Sequence, residues 1–241
     1  MKISVIVPAF NEERLLGDSL AKIKSAAAAF TLRGWDFELV VCDNNSTDRT
    51  AEIAHACGAV VVFEPVNQIG RARNTGAAAA TGDWLIFVDA DSHPSAELFD
   101  DVAGEIVSGK YLAGGATLRL DEKNFTAEVI TWLWNRVSRA GKLFAGSFIF
   151  CEAAVFRKLG GFSPELFAAE ELEFCRRLKK FARSAGRGIV ILHRHPLTTS
   201  ARKLKLYSKR EHLRFFVRAI LSQRRTFGSR EAAHLWYDGR R

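Results

Sequence analysis

Cysteine is scarce in this chain, and its placement is uninformative for metal or disulfide chemistry. Cys42, Cys57, Cys151 and Cys175 are the only four in 241 residues, and no two have the short spacing of a zinc site. Cys42 and Cys151 fall inside apolar runs, so buried, reduced thiols in a cytoplasmic protein are expected. Long hydrophobic runs are missing too. Nothing approaches the roughly 18 consecutive apolar residues of a membrane span. Glu12, Glu13 and Arg14 interrupt the apolar start too early for a signal peptide. Neither glycine-rich phosphate loop occurs, G-x-G-x-x-G or G-x-x-x-x-G-K-[ST]. Linkers, repeats and low-complexity segments are absent as well, and the alanine runs Ala26–Ala29 and Ala77–Ala80 read as helix formers.

What is present is an alternation of apolar runs and amphipathic stretches. Ile3 to Val7 reads as a strand ended by Pro8, and Asn11 then opens a helix reaching about Ala29. Phe37 to Cys42 is a second strand, followed by Ser46 or Thr47 as cap of the next helix with Glu52 behind. Ala59 to Phe63 is a third, leading through Asn67–Gly70 into a helix over Arg71 to Ala80. Trp84-Leu85-Ile86-Phe87-Val88 is five apolar residues in a row, the pattern of a strand buried on both faces. Four strands alternating with helices, and polar residues gathered at the strand ends, predict an α/β fold. The expected architecture is a mostly parallel, doubly wound sheet with helices on both faces.

Asp89-Ala90-Asp91 follows the last of these strands, where open α/β sheets bind ligands. With no glycine loop to hold phosphate, a divalent cation between Asp89 and Asp91 is the natural substitute. Hard carboxylate oxygens suit Mg2+ or Mn2+, which bridge to a diphosphate.

The ordered set is more telling than any member. Pro8-Ala9-Phe10-Asn11-Glu12-Glu13, Asp43 with Ser46-Thr47-Asp48, Gly70-Arg71-Ala72-Arg73-Asn74-Thr75-Gly76 and Asp89-Ala90-Asp91 resemble the motifs of family 2 glycosyltransferases with the GT-A fold. Gly160-Gly161-Phe162 and Glu170-Glu171 resemble that family's downstream segments. The resemblance covers about residues 2 to 180. It implies transfer of a sugar from a nucleoside-diphosphate sugar, a UDP- or GDP-sugar, to an acceptor hydroxyl, with inversion in most of the family. By the same resemblance Pro8, Phe10, Glu12 and Asp43 line a nucleoside pocket. Arg73 steadies the aspartates or the diphosphate. Asp89, Ala90 and Asp91 meet ribose and metal.

The resemblance places a general base at Glu171, where the family more often has aspartate; Glu170 is the competitor. Acid-first, base-last charge in Glu170–Lys180 is also what a helix dipole favours without any catalysis. His193, after a strand over Gly188 to Leu192, is the implied third metal ligand, with His195 on the same face. Between the two carboxylate groups, Ala113 to Leu120 reads as a strand and Thr126 to Ala140 as a helix. Trp132 and Trp134, two apart, cannot share one face of that helix; both read as core, the alternative being that one meets a sugar ring or a lipid. Phe144 to Cys151 is a further strand, whose Gly146 and Ser147 correspond to an acceptor-side segment. For single residues plainer roles compete: Asp43 and Asp48 as loop and cap residues, Gly70 and Gly76 as backbone requirements.

Charge divides the chain. Residues 196–230 hold ten Lys or Arg against Glu211 alone, a balance of +9 that leaves −1 for the rest of a chain with net charge +8. Leu213, Phe216, Val217, Ile220 and Leu221 recur at helical spacing, with Arg210, Arg214 and Arg218 on another stripe. Such a basic amphipathic helix fits an anionic membrane surface on the cytoplasmic side and a saccharide or lipid acceptor, or else docks on the catalytic domain. No nucleic-acid motif accompanies it. The expected organisation is one GT-A domain over 1–195, its nucleotide-sugar half about 1–92 and acceptor half about 93–195, with a basic extension over 196–241. Two rival functions remain: a non-catalytic nucleotide- or membrane-binding module on the same fold, and a sugar nucleotidyltransferase, whose glycine-rich early loop is replaced here by Pro8-Ala9-Phe10-Asn11.

Overall fold

The computed structural model describes residues 1–122 and 125–201. Most of the basic extension, from 202 onward, lies outside the described residues. Eight strands and eight helices alternate in the described part. The amino-terminal half runs β1 (Lys2–Ala9), α1 (Leu16–Ala26), α2 (Ala28–Thr31), β2 (Asp36–Asp43), α3 (Thr50–Ala56), β3 (Val60–Phe63), α4 (Ile69–Ala79) and β4 (Trp84–Val88). It continues through β5 (Ser92–His93), α5 (Ala96–Ser108), β6 (Tyr111–Leu120), α6 (Phe125–Gly141), β7 (Phe148–Glu152), α7 (Ala153–Lys158), α8 (Glu170–Ser184) and β8 (Gly188–Thr199). The strands form one sheet in the order β3-β2-β1-β4-β7-β6-β8-β5. The run β3-β2-β1-β4 is parallel, β7 is antiparallel to both its neighbours, β6 and β8 are parallel, and β5 closes the edge antiparallel to β8.

Period-two alternation buries both faces of the central strands. Ile3, Val5, Val7, Trp84, Ile86 and Val88 join a core with α1, α2 and α5. Ile6, Leu85 and Phe87 point the other way, onto α4, α7 and α8. Fully burying each such side chain contributes about 1.5–3 kcal/mol, so a strand apolar on both sides is anchored from both. Cys42 and Cys151 sit in these layers, and burial pushes both thiols up, Cys42 to about 12.

Pro8 does not end β1. The Ala9 carbonyl accepts from Asn44 N at 2.8 Å on the β2 side, so Pro8 faces the other way, where pairing with β4 has already stopped at Ile6–Phe87. Its missing N–H therefore removes no ladder bond. Helix α1 starts at Leu16, not Asn11, and breaks near Ala27. Helix α3 is capped by neither Ser46 nor Thr47: Asp48 Oδ1 takes the Thr50 N–H at 3.0 Å. Gly146 and Ser147 lie in the turn before β7 rather than within a strand. Strand β8 runs on to Thr199, so residue 195 is no edge of the sheet, and 92 falls inside β5. Trp132 is 57 % exposed, against the expectation of a core residue, and Arg136 lies over its ring at 4.6 Å.

Gly76 shows why a small residue is needed at its position. It is buried in α4 where that helix crosses β1, and a Cβ there would stand 2.5 Å from Ile6 Cγ2. Gly76→Ala is expected to destabilise the chain by about 1–3 kcal/mol through overpacking. Denaturant unfolding would read this as a lower midpoint at unchanged slope.

Candidate active site

The carboxyl ends of β1, β2 and β4 bring three loops to one edge of the sheet. Asn11 adopts φ +52°, and its Oδ1 accepts from Thr47 N at 2.8 Å while its own N–H donates to Ser46 Oγ at 3.0 Å. The Glu12 N–H donates to Thr50 Oγ1 at 2.8 Å, and Asp43 Oδ1 accepts from Ser46 N at 3.1 Å. Asparagine tolerates this left-handed backbone, and its short amide cross-links two loops that water would otherwise separate. Asp43 and Glu12 are buried at this edge, next to Pro8 and the half-buried Phe10. Asp43 thus acts as a loop residue through Oδ1, and its Oδ2 has no protein partner among the described residues.

Arg73 joins the loops to the second half of the fold. Its side chain is 2 % exposed on α4. Nη1 donates to Glu170 Oε1 at 2.6 Å, and Nη2 donates to Asp89 Oδ1 at 3.0 Å and to the Gly146 carbonyl at 2.8 Å. The guanidinium carbon lies 5.4 Å from the centre of the Phe162 ring. Burial opposes the cation, but Asp89, Glu170 and Glu171 outweigh it and hold the Arg73 pKa above its ordinary value. One planar fork ties the β4 loop, the turn before β7 and the start of α8.

Phe162 belongs to an aromatic floor with Phe87, Phe156 and Phe174, the ring centres 4.9–5.5 Å apart. Gly161 explains the Gly-Gly-Phe segment. It has φ +67°, and a Cβ would stand 2.4 Å from Asn74 Oδ1. Asn74 itself clamps Phe162, donating to its carbonyl at 2.8 Å and accepting its N–H at 2.9 Å.

Glu170 and Glu171 open α8 after Ala169, which takes φ +59°. Glu170 is buried against Arg73 and Gly70, whereas Glu171 is partly exposed. A Cβ added to Gly146 would stand 3.2 Å from Arg73 Nη2 and 3.6 Å from Glu171 Cδ. Gly146 therefore lets both groups pack directly against its backbone, where a side chain would press on the guanidinium. Burial, then the adjacent Glu170 charge, push the Glu171 carboxyl up to about 8, although Arg73 pulls the other way. A carboxyl that ionises near neutrality can accept a proton from a substrate hydroxyl.

Asp91 is buried one residue beyond Ala90, and its carbonyl accepts from Ser200 N at 3.2 Å. Asp89 Oδ2 has no protein partner among the described residues. No three His, Cys, Asp or Glu side chains converge as a metal cluster among the described residues, so His193 does not complete a triad with Asp89 and Asp91. His193 is exposed where β8 loses register with β6, between the pairs at Leu192 and Leu197. His195 instead faces α5, with Nδ1 3.0 Å from Asp101 Oδ2. The irregularity that breaks pairing also breaks the simple alternation expected of the two imidazoles.

Some positioning residues carry no sequence signal of their own. Gln68 Nε2 donates to the Pro164 and Leu166 carbonyls at 2.9 and 2.7 Å, and Asn44 Nδ2 donates to Val66 O at 2.6 Å. Asn74 sits in the Gly70–Gly76 run, yet its clamp on Phe162 spans 88 positions.

The model of glycosyl transferase family 2 matches residues 4–158. The chain belongs to this family. It is 34 % identical over 113 residues to an uncharacterized glycosyltransferase of Mycobacterium tuberculosis, covering 47 % of each chain. It is 32 % identical over 124 residues to a dolichol-phosphate mannosyltransferase of Pyrococcus furiosus, covering 48 % of this chain and 33 % of that one. This chain thus spans half or less of the length of these relatives. Among solved structures, a mannosyltransferase from Pyrobaculum calidifontis in complex with GDP-Man and Mn2+ superposes with a TM-score of 0.68 at 19 % identity. That match covers 96 % of this chain and 64 % of the other. TarS of S. aureus in complex with UDP-GlcNAc gives a TM-score of 0.67 at 22 % identity, over 98 % of this chain and 69 % of TarS. The fold expected from the sequence, a mostly parallel GT-A sheet with helices on both faces, is the fold found.

Proposed function

We propose that this family 2 member is a glycosyltransferase moving a sugar from a nucleoside-diphosphate sugar to an acceptor hydroxyl, with Glu171 as general base. The observation that carries the reading is the Glu171 carboxyl, pushed up to about 8, packed beside Gly146 and the Arg73–Asp89 pair. Pro8, Phe10, Glu12 and Asp43, at the carboxyl ends of β1 and β2, are the proposed nucleoside pocket, with Asp43 Oδ2 the proposed acceptor from the base; their position at the sheet's ligand-binding edge supports this. Glu171 takes the acceptor proton, the freed oxygen attacks the anomeric carbon in line, and the bond to the diphosphate breaks. One displacement of this kind inverts the anomeric configuration. Gly146 and Ser147 border the acceptor side.

Asp89 and Asp91 fit a divalent cation. Asp89 Oδ2 has no protein partner among the described residues, and the two hard carboxylates of Asp89 and Asp91 would hold Mg2+ or Mn2+. When bound, such a cation neutralises charge gathering on the leaving diphosphate. Arg73 meanwhile fixes Asp89 through Oδ1. UDP- and GDP-sugars are the donors proposed, and the relatives solved with GDP-Man and UDP-GlcNAc support that class. A saccharide or lipid-linked acceptor is proposed, with the basic extension on an anionic membrane surface at the cytoplasmic side; no helix among the described residues is long and apolar enough to cross a membrane.

Thermal unfolding with Mn2+ and a panel of nucleoside diphosphates tests the donor site. A ligand at a hundredfold excess over its dissociation constant stabilises the fold by about 2.7 kcal/mol. For a chain of this size that raises the midpoint by several degrees, at about 2–4 °C per kcal/mol. The shift is expected with one nucleotide, only with metal, and not in Asp91→Ala. Equal shifts in Asp91→Ala would remove the aspartates from the site. Release of pyrophosphate instead of nucleoside diphosphate would assign the chain to nucleotidyl transfer.

A further inference from the structure

Helix α6 is docked with its apolar face outward. Six of the twelve exposed large apolar side chains among the described residues lie on it: Phe125, Val129, Ile130, Trp132, Leu133 and Val137. At 100° per residue they span about 160° of its circumference, a wide apolar stripe. The inward face is held partly by polar groups. Asn135 accepts the Leu118 N–H at 2.9 Å and donates to the Leu118 carbonyl at 2.8 Å, and Ser138 Oγ donates to Leu143 O at 2.6 Å. Cations lie within and beside the outward stripe: Arg136 over Trp132, Arg139 a turn further at its edge, and Lys142 just past the helix end. Glu128, in the first turn, is its one acidic residue.

We propose that α6 is the face by which this chain lies on an anionic lipid surface. The apolar side chains enter the acyl boundary, while Arg136, Arg139 and Lys142 meet headgroup phosphates. Charge selects this occupant over two others. The described chain ends at Ala201, whose N–H donates to Asp121 Oδ1 at 2.9 Å, four positions before α6 begins. The segment with ten cations against one acid therefore starts beside this helix. Laying its apolar stripe on α6 would bring Arg210, Arg214 and Arg218 toward Arg136 and Arg139, and a second copy of α6, with Glu128 alone against Arg136, Arg139 and Lys142, would carry an excess of positive charge into the contact. A negatively charged lipid layer turns both repulsions into attraction and accepts the apolar stripe as well. Location adds a consequence for the reaction. Only four residues separate the end of α6 from Gly146, whose carbonyl holds Arg73, so a lipid-bound α6 keeps the acceptor side of the cleft near the surface. This deepens the lipid-linked acceptor reading and rests on it only for the acceptor, since vesicle binding is measured without turnover.

Co-sedimentation of the full chain with phosphatidylcholine vesicles, with and without phosphatidylglycerol, tests it. Binding is expected only with the anionic lipid, and is expected to drop by about tenfold or more in Trp132→Ser/Leu133→Ser. Both positions are exposed and outside the site, so this variant should keep its thermal midpoint and its nucleotide shift. Quenching of tryptophan fluorescence by brominated lipid should fall in Trp132→Phe. The proposal is overturned if the chain stays in the supernatant with anionic vesicles. It is also overturned if the α6 variant binds normally while Arg214→Glu/Arg218→Glu does not, which assigns binding to the extension. Sedimentation velocity showing a dimer that Leu133→Ser dissociates would make a second copy the occupant and overturn it too.

Discussion

Glu171→Gln is expected to lower turnover by about 10²- to 10⁴-fold while leaving donor affinity within a small factor, the signature of a lost general base. The amide keeps the shape of the side chain but cannot accept the acceptor's proton. Because the free carboxyl ionises near pH 8, the wild-type kcat/KM should climb about tenfold per pH unit below that value and level off above it. The variant's residual rate should lose this slope. Folding stability should move in the opposite sense. Unfolded, Glu171 ionises near the ordinary glutamate value of 4.5; folded, it holds its proton to about 8. The folded state therefore binds the extra proton between those values, and this group's contribution to stability is full below about 4.5 and lost as pH rises through 8. Glu171→Gln, neutral at every pH, should accordingly unfold at a higher temperature than the wild type at pH 8.5 and at a similar one at pH 4.5. A more stable but inactive variant is what a residue kept for chemistry gives. An unchanged pH profile in Glu171→Gln would place the base elsewhere, with Glu170 the nearest candidate.

Strands were legible where burial acts alone. Trp84–Val88 is both the apolar run and β4, because a strand covered on both faces must be apolar at every position. The aspartates after it follow from the same rule about strand ends. Helix starts were less legible: Asn11 looks like a cap, but its amide is committed to Thr47, so α1 begins five residues later. The acceptor side was read least well. A strand over Phe144 to Cys151 fits the apolar pattern, yet Arg73 draws the Gly146 carbonyl into a turn and the ladder begins only at Phe148. His195, expected on the same face as His193, faces α5 instead, where Asp101 is a partner 94 positions away. Contacts across such separations leave no local periodicity, and so Gln68, Asn74 and Phe162 were invisible as positioning residues. Trp132 fails differently. Its pattern is that of a core residue, and only the placement of α6 shows which side of the helix the sheet takes.

Arg73→Met is expected to cost about 3–5 kcal/mol of stability and to abolish detectable turnover. Removing one partner of a buried ion pair leaves the other charge uncompensated, and here Glu170, 3 % exposed, loses its cation while Asp89 and the Gly146 carbonyl lose a shared donor. Arg73→Lys should recover part of the stability and little of the rate. A point charge on a flexible stem cannot reach three acceptors held apart by a planar fork. Stability and catalysis can be separated by adding a second change. Arg73→Met/Glu170→Met removes both buried charges together, a replacement that is often neutral or stabilising, so its unfolding midpoint should rise above that of Arg73→Met alone. Turnover should not return with it, because Asp89 is still without the donor that fixes its carboxylate. Recovery of activity in the double variant would mean that Arg73 serves the fold only and that Asp89 finds its position without help. Continued loss, with the midpoint restored, would mean that one guanidinium positions the metal-side aspartate and the acceptor-side turn at once. In that case sugar transfer requires two halves of the sheet to be held in register by a single residue.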